Sequence, residues 1–127
     1  MTDLFKSVHP VCPALDMPSH LAFWGRLGFR VSFSGGKPPE TADYVGVARD
    51  GIELHLQTFS EADLKRTQIM AVRVEMTSRG TLETLHAEWA PLVAITAVLA
   101  DTPWGTREFG FYDPVGSPFF FYVDRTW

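Results

Sequence analysis

The order of the predicted elements, which occurs twice, constrains the fold of this chain more than any other feature. An apolar segment at residues 7–14 is followed by a helical pattern over residues 16–28. Three predicted strands then follow, at residues 29–34, 44–48 and 52–57. The second half has the same order, with a strand, a helix and three strands at 68–76, 78–91, 94–100, 105–112 and 119–123. The sequence therefore predicts a single α+β domain of two βαβββ modules, about 1–60 and 67–127.

Residues with strong local preferences mark the ends of these elements. Asp16 and Ser78 are typical N-cap residues, and Gly28 suits a left-handed C-cap. The pair Asp50-Gly51 predicts a tight hairpin turn. Because no second helix is predicted in either module, we expect the two four-stranded sheets to curl into a cupped, partly open, barrel-like surface, where ligands commonly bind.

Composition narrows the classes of partner. The 127 residues carry a net charge of -4, and their 11 basic residues form no run, which disfavours nucleic acid and favours a neutral or cationic small molecule. The single cysteine, Cys12, excludes an internal disulfide and thiolate metal clusters. It lies in an apolar strand and is interpreted as a buried hydrophobe. Without a signal-like or membrane-spanning apolar run, the sequence predicts a cytoplasmic protein with no membrane partner.

Four short strings point to a known family. They read HPV at residues 9–11, FWGRLGF at 23–29, VARDG at 47–51 and PWGTREFGFYDPVG at 103–116. With the repeated element order, they make the chain resemble the bleomycin resistance proteins. That family belongs to the vicinal oxygen chelate superfamily, together with glyoxalases and extradiol dioxygenases. The resemblance covers nearly the whole chain and implies the same fold, which carries both metalloenzymes and metal-free binding proteins.

The resemblance also locates where a metal site would be. Superfamily metalloenzymes take ligands from the first and last strands of each half, and His9 and Glu53 fall on the first two positions. The other two fall near Ile69 and Phe120, which cannot bind a cation. We therefore expect no metal cofactor. The alternative is a metal-dependent lyase, isomerase or dioxygenase in which His55 or another chain completes the set.

Glu53 and His55 lie two residues apart on a predicted strand and so share a face. If that face lines the cup, they are polar anchors for a ligand; otherwise they are an ordinary solvent-facing pair. His20 and His86 each lie on a predicted helix, where packing or solvation is the expected role. No motif for nucleophilic or nucleotide chemistry is present in the sequence.

Aromatic residues carry the remaining functional signal. Bleomycin resistance proteins form dimers whose grooves stack planar parts of a cationic glycopeptide on aromatic side chains, and the resemblance places Phe33, Tyr44 and Trp104 at such positions. All three could instead be core residues, but Trp104 stands between Pro103 and Gly105, where an indole is expected to project into a groove. The sequence thus predicts a homodimer that sequesters a small-molecule ligand.

The chain departs from dedicated resistance proteins in the segment before the PWG motif. Residues 93–100 are short and uncharged, whereas those proteins carry an extended polar arm there and an acidic groove. We therefore expect the ligand to be a planar aromatic or cationic antibiotic or metabolite, and not necessarily bleomycin. The proline-bearing first strand, with Pro10, is expected to be the edge that a second subunit covers.

Overall fold

The computed structural model describes residues 3, 4, 6–66 and 71–125 and divides the chain into two compact units, Met1–Leu64 and Lys65–Trp127. Each has the predicted order of a strand, a helix and three strands, which confirms the α+β class. No helix in the described ranges is long and apolar enough to cross a bilayer. The elements are β1 (Val11–Ala14), α1 (Met17–Arg26), β2 (Arg30–Ser34), β3 (Tyr44–Arg49), β4 (Ile52–Thr58), α2 (Glu61–Arg66), β5 (Val72–Glu75), α3 (Arg79–Trp89), β6 (Ala97–Asp101), β7 (Thr106–Tyr112) and β8 (Pro118–Asp124).

The first unit is a four-stranded sheet with the order β1-β4-β3-β2. β1 lies at the edge and runs parallel to β4, while the other pairs are antiparallel. Alternate residues of β3 and β4 are buried on the face that α1 covers, including Val45, Val47, Leu54 and Leu56. Trp24 of α1 is fully buried with them. The opposite face of the sheet therefore carries the intervening, more polar residues.

The second unit repeats this design with the sheet order β5-β8-β7-β6. Trp89 of α3 meets Phe109, Phe111 and Phe121 edge-on, at ring-centroid distances of 6.2, 5.6 and 5.0 Å. The helix begins as predicted, because the Ser78 hydroxyl accepts a hydrogen bond from the Thr81 backbone in a reciprocal capping box. This aromatic cluster is the core of the unit.

Local turn chemistry is confirmed at the predicted glycines. Gly28 has a φ of +88°, and the Asp50-Gly51 turn has φ values of 51° and 82°, as a hairpin of this kind requires. Asp16 precedes α1, but its side chain makes no capping hydrogen bond. Its backbone carbonyl instead accepts one from the Ser19 hydroxyl at 2.9 Å.

Three differences from the sequence prediction concern the extent of elements. β1 begins at Val11, four residues later than expected; Pro10 has no amide hydrogen to donate, although its carbonyl still accepts a hydrogen bond from the His55 amide at 3.0 Å. The predicted start of the fifth strand, residues 68–70, lies outside the described residues. Helix α2 was missed, although Ser60 caps it and its acidic first turn and basic last turn are typical helix signals. A short 3-10 helix, Pro39–Thr41, lies in the predicted 35–40 loop.

Truncation of the second-unit core residue Trp89 to alanine should cost about 3–5 kcal/mol of unfolding free energy, because it leaves a cavity among phenylalanines. Trp104→Ala, in the same unit, is the matched control. Its side chain is 67% exposed, so truncation opens no core cavity, and the cost should stay near that of one hydrogen bond to a carboxylate, about 1–2 kcal/mol. Urea unfolding of both variants measures the difference. Equal losses would mean that Trp104 is part of a core.

Candidate ligand-binding site

The sheet face opposite α1 brings several of the predicted site residues together. The strand registers pair Phe33 of β2 with Gly46 of β3, Gly46 with His55 of β4, and His55 with Val11 of β1. These four side-chain positions therefore form one row across the sheet. Tyr44 lies on the same face as Gly46, two residues away along β3.

Phe33 is a half-exposed ring on this face, with 40% of its surface accessible. It lies over Gly46, where a Cβ atom would overlap the ring. The ring stacks beside Tyr44 at a centroid distance of 6.0 Å and meets His55 edge-on at 5.1 Å. The glycine thus makes room for an aromatic platform that remains open to solvent on one side.

A chain of hydrogen bonds beside the platform joins Tyr44, His55 and Glu53. The Tyr44 hydroxyl lies 2.9 Å from Nδ1 of His55, and Nε2 of His55 lies 2.8 Å from Oε1 of Glu53. When His55 is neutral and donates through Nε2, its Nδ1 accepts a hydrogen bond from the Tyr44 hydroxyl. Glu53 and His55 are therefore partly buried, on the same face of the sheet as Phe33 and Tyr44.

His9 joins the same cluster from just before β1. Its ring lies parallel to His55, with centroids 4.7 Å apart and an interplanar angle of 11°. Its Nδ1 lies 3.0 Å from the Glu53 carbonyl, and its Nε2 lies 3.0 Å from the Ser7 hydroxyl. Every ring nitrogen of the two histidines is thus within hydrogen-bonding distance of a protein oxygen.

His9, Glu53 and His55 offer three ligand atoms within 4.8 Å of one another, a spacing at which a shared cation could be considered. Imidazole binds a metal through a lone pair in the plane of its ring. Two rings stacked in nearly parallel planes cannot direct both lone pairs at one ion. The arrangement therefore does not fit a shared metal, despite the short distances, unless at least one ring turns.

Register identifies the corresponding positions of the second unit. Gly110 of β7 pairs with Phe120 of β8, as Gly46 pairs with His55. By this register, Glu108 of β7 occupies the position that Tyr44 has on β3. Phe120 also covers its glycine, since a Cβ at residue 110 would lie 2.7 Å from the Phe120 ring.

The same register locates the counterparts of the first two metal positions. Ala71 corresponds to His9, and Pro118 corresponds to Glu53. Pro118 lies two residues before Phe120, near which the sequence placed this metal position. Neither side chain has a lone pair for a cation. Ile69, the other predicted position, lies outside the described residues.

Trp104 belongs to the second unit, so the structure does not place it with Phe33 and Tyr44. It lies in the turn before β7, and its exposure excludes a core role. Its indole nitrogen donates to Oε1 of Glu108 at 3.3 Å. Glu108 also accepts hydrogen bonds from Arg73 at 2.9 Å and from the Thr106 hydroxyl at 2.7 Å.

Glu108 is a buried carboxylate whose charge is compensated. Burial by itself raises its pKa, but the hydrogen bonds from Arg73, Thr106 and Trp104 and the charge of Arg73 outweigh it, so the pKa of Glu108 is lowered. Neither Arg73 nor Glu108 is among the site residues predicted from the sequence. The signals were present: Arg73 lies on the polar side of an alternating strand, and Glu108 belongs to the PWGTREF string.

The remaining predicted side chains have packing roles. Cys12 and His20 are buried, and Nδ1 of His20 lies 3.2 Å from the Asp16 carbonyl. His86 packs edge-on against Phe109 at a centroid distance of 5.1 Å. None of the three belongs to the aromatic face.

Comparison with solved structures places this geometry among known proteins. A protein from Alicyclobacillus acidocaldarius, described as a glyoxalase/bleomycin resistance protein/dioxygenase, aligns over 100% of both chains with a TM-score of 0.74 and 14% identity. The bleomycin resistance determinant encoded on transposon Tn5 aligns over 94% of this chain and 98% of its own, with a TM-score of 0.70 and 18% identity. The paired modules therefore define the glyoxalase/bleomycin resistance fold class.

A third structure has a much more similar sequence. The bleomycin-binding protein of bleomycin-producing Streptomyces verticillus, solved with copper(II)-bleomycin, is 32% identical, with a TM-score of 0.71, and covers 95% of this chain and 97% of its own. The chain belongs to the bleomycin resistance protein family. Comparisons with sequence-family models and with curated protein sequences gave no match.

The contact between Gly46 and Phe33 predicts how alanine at residue 46 would act. The three atoms nearest to a Cβ there belong to the ring of Phe33 and the hydroxyl of Ser32, which are movable side-chain ends, so Gly46→Ala should displace the ring at little cost in stability. The nuclear Overhauser contacts between the Phe33 and His55 rings should therefore be weaker in this variant than in the wild type.

Gly110→Ala is the matched control, because a Cβ there would lie 2.7 Å from the Phe119 backbone carbonyl. It should lose about 1–3 kcal/mol of unfolding free energy. Unchanged Phe33–His55 contacts in Gly46→Ala would show that the glycine does not set the ring position.

Proposed function

We propose that this protein sequesters a planar, aromatic or cationic small molecule, of the bleomycin-resistance type, without metal chemistry of its own. The observation that carries the proposal is the open aromatic platform of Phe33 over Gly46, beside Tyr44 and the His55–Glu53 pair. Membership of the bleomycin resistance family supports it. Phe33, Tyr44, Glu53, His55 and Trp104 are the proposed ligand-binding residues.

The chemistry of the platform suits a flat ligand with polar edges. Stacking on an aromatic ring contributes about 0.5–1.5 kcal/mol per pair beyond the area that it buries. Glu53 and the net charge of -4 favour a cationic ligand, and the Tyr44 hydroxyl oxygen, which donates its proton towards His55, can still accept a hydrogen bond at the edge of the platform. A binding protein needs no more than these contacts to withdraw an antibiotic or metabolite from solution.

A homodimer with the ligand groove at its interface is part of the proposal. β1 is the edge of its sheet and pairs with β4 only along residues 11–14. Val11 and Leu15 leave exposed apolar surface there. A second subunit covering this edge would bury that surface and enclose a ligand, with Trp104 contributing a further stacking surface.

Calorimetric titration with metal-free bleomycin, copper(II)-bleomycin and a panel of planar aromatic antibiotics tests the function. At least one compound should bind stoichiometrically, and Phe33→Ala should weaken its binding by about 2 kcal/mol, as hot-spot truncations do. Tyr112→Ala, an exposed aromatic at the end of β7, is the control and should bind normally. If Phe33→Ala bound the compound as tightly as the wild type does, the platform would not be part of the binding site.

The second candidate function is a metal-dependent lyase, isomerase or dioxygenase, which the proximity of His9, Glu53 and His55 favours. The parallel stacking of the two imidazoles argues against it. We expect elemental analysis of the protein purified without added metal to find well below one divalent ion per chain. A stoichiometric ion that survives dialysis and is lost in His9→Ala would establish the metalloenzyme instead.

A further inference from the structure

The backbone around Trp104 is held at several points. The Thr102 amide donates to the Thr106 carbonyl at 2.8 Å, and the Thr106 amide donates back to the Thr102 hydroxyl at 3.1 Å. From the chain end, the Arg125 amide donates to the Gly105 carbonyl at 2.8 Å. Arg125 also reaches the Thr102 carbonyl through its guanidinium at 2.8 Å. The turn that carries the indole is therefore fixed.

The far end of the same side chain is held by Glu108. An exposed tryptophan on a turn would ordinarily sample several rotamers. Here the indole nitrogen donates to a carboxylate whose own side chain is only 8% exposed. Thr106 and Arg73 hold that carboxylate in place. Trp104 is thus a solvent-exposed residue in a hydrogen-bonded turn, and its indole nitrogen is also held by a hydrogen bond.

We infer that Glu108 is a positioning residue for Trp104, which presents the indole in a single orientation before a ligand arrives. The step from orientation to affinity rests on the proposed function. Pre-ordering one large side chain removes an entropy cost from binding. Glu108 need not contact the ligand for this effect.

The charge arrangement supports orientation over electrostatic attraction. The Arg73 guanidinium pairs with Glu108 and lies over the Tyr122 ring, with its carbon 4.5 Å from the ring centroid. Because the positively charged Arg73 guanidinium lies directly against the Glu108 carboxylate, Glu108 adds little net negative potential for a cationic ligand. Glu53 differs in this respect, because the side chain hydrogen-bonded to its carboxylate is a histidine, His55.

Indole ¹H–¹⁵N resonances test the positioning without any ligand. The Trp104 signal is assigned by its loss in Trp104→Phe. In Glu108→Ala it should move upfield and lose about tenfold in protection from exchange, the size of a charged hydrogen bond. Glu108→Gln keeps an acceptor oxygen and should restore most of the shift.

Glu75→Ala is the control, because Glu75 also faces this side of the sheet, through its pairing with Tyr122. The Trp104 resonance should not move in that variant. An unchanged resonance in Glu108→Ala would overturn the inference. If the alanine variant does not fold, exchange protection in Glu108→Gln decides instead: the neutral amide accepts a weaker hydrogen bond than the carboxylate, so protection of the Trp104 indole should fall, and unchanged protection would overturn the inference.

Affinity for bleomycin then tests the consequence. Glu108→Ala should bind about 3- to 10-fold more weakly than the wild type. In a Trp104→Ala background the same substitution should have no further effect, since there is no indole to orient. A loss of equal size in both backgrounds would overturn the positioning role and assign Glu108 a direct one. If wild-type protein binds no bleomycin, that ligand is wrong, and the indole resonances alone decide the role of Glu108.

Discussion

Burial of one face of each sheet under a single helix is the constraint on which the rest of the structure depends. In the second unit, Trp89 fills the space between α3 and three phenylalanines of β7 and β8. In the first, Trp24 of α1 is likewise fully buried, with the Phe29 ring edge-on to it at a centroid distance of 5.0 Å. Because side chains alternate along a strand, fixing the apolar face also fixes which residues face the other way. The aromatic platform and the Glu108 cluster both lie on those opposite faces.

The two units use equivalent positions for different chemistry. A glycine on the third strand of each unit, Gly46 or Gly110, admits an aromatic ring above it. Two residues before that glycine, the first unit has Tyr44 and the second has Glu108. The first unit thereby presents a tyrosine linked to a histidine and a carboxylate, and the second presents a carboxylate compensated by arginine. One repeated backbone thus supports two unlike surfaces.

The histidine pair shows why proximity alone does not define a metal site. His9 and His55 lie close to the Glu53 carboxylate, as ligands would. Their rings are nearly parallel, however, so the lone pairs of the two rings lie in separate, nearly parallel planes and are not directed at one ion. Hydrogen bonds to Tyr44, to Glu53 and to the Ser7 hydroxyl use the same nitrogens. In the structure these groups are hydrogen-bonded to one another beside the Phe33 and Tyr44 rings.

The sequence alone determined the element order, the hairpin turn at Asp50-Gly51 and the common face of Glu53 and His55, because these follow from alternation and local backbone preference. It did not reveal helix α2, whose few turns carry no apolar stripe. Only the tertiary structure decided that Phe33 lies over Gly46, that the two histidines stack and that Glu108 reaches Trp104. Those contacts join strands through their register and side-chain rotamers, which no local pattern in the sequence encodes.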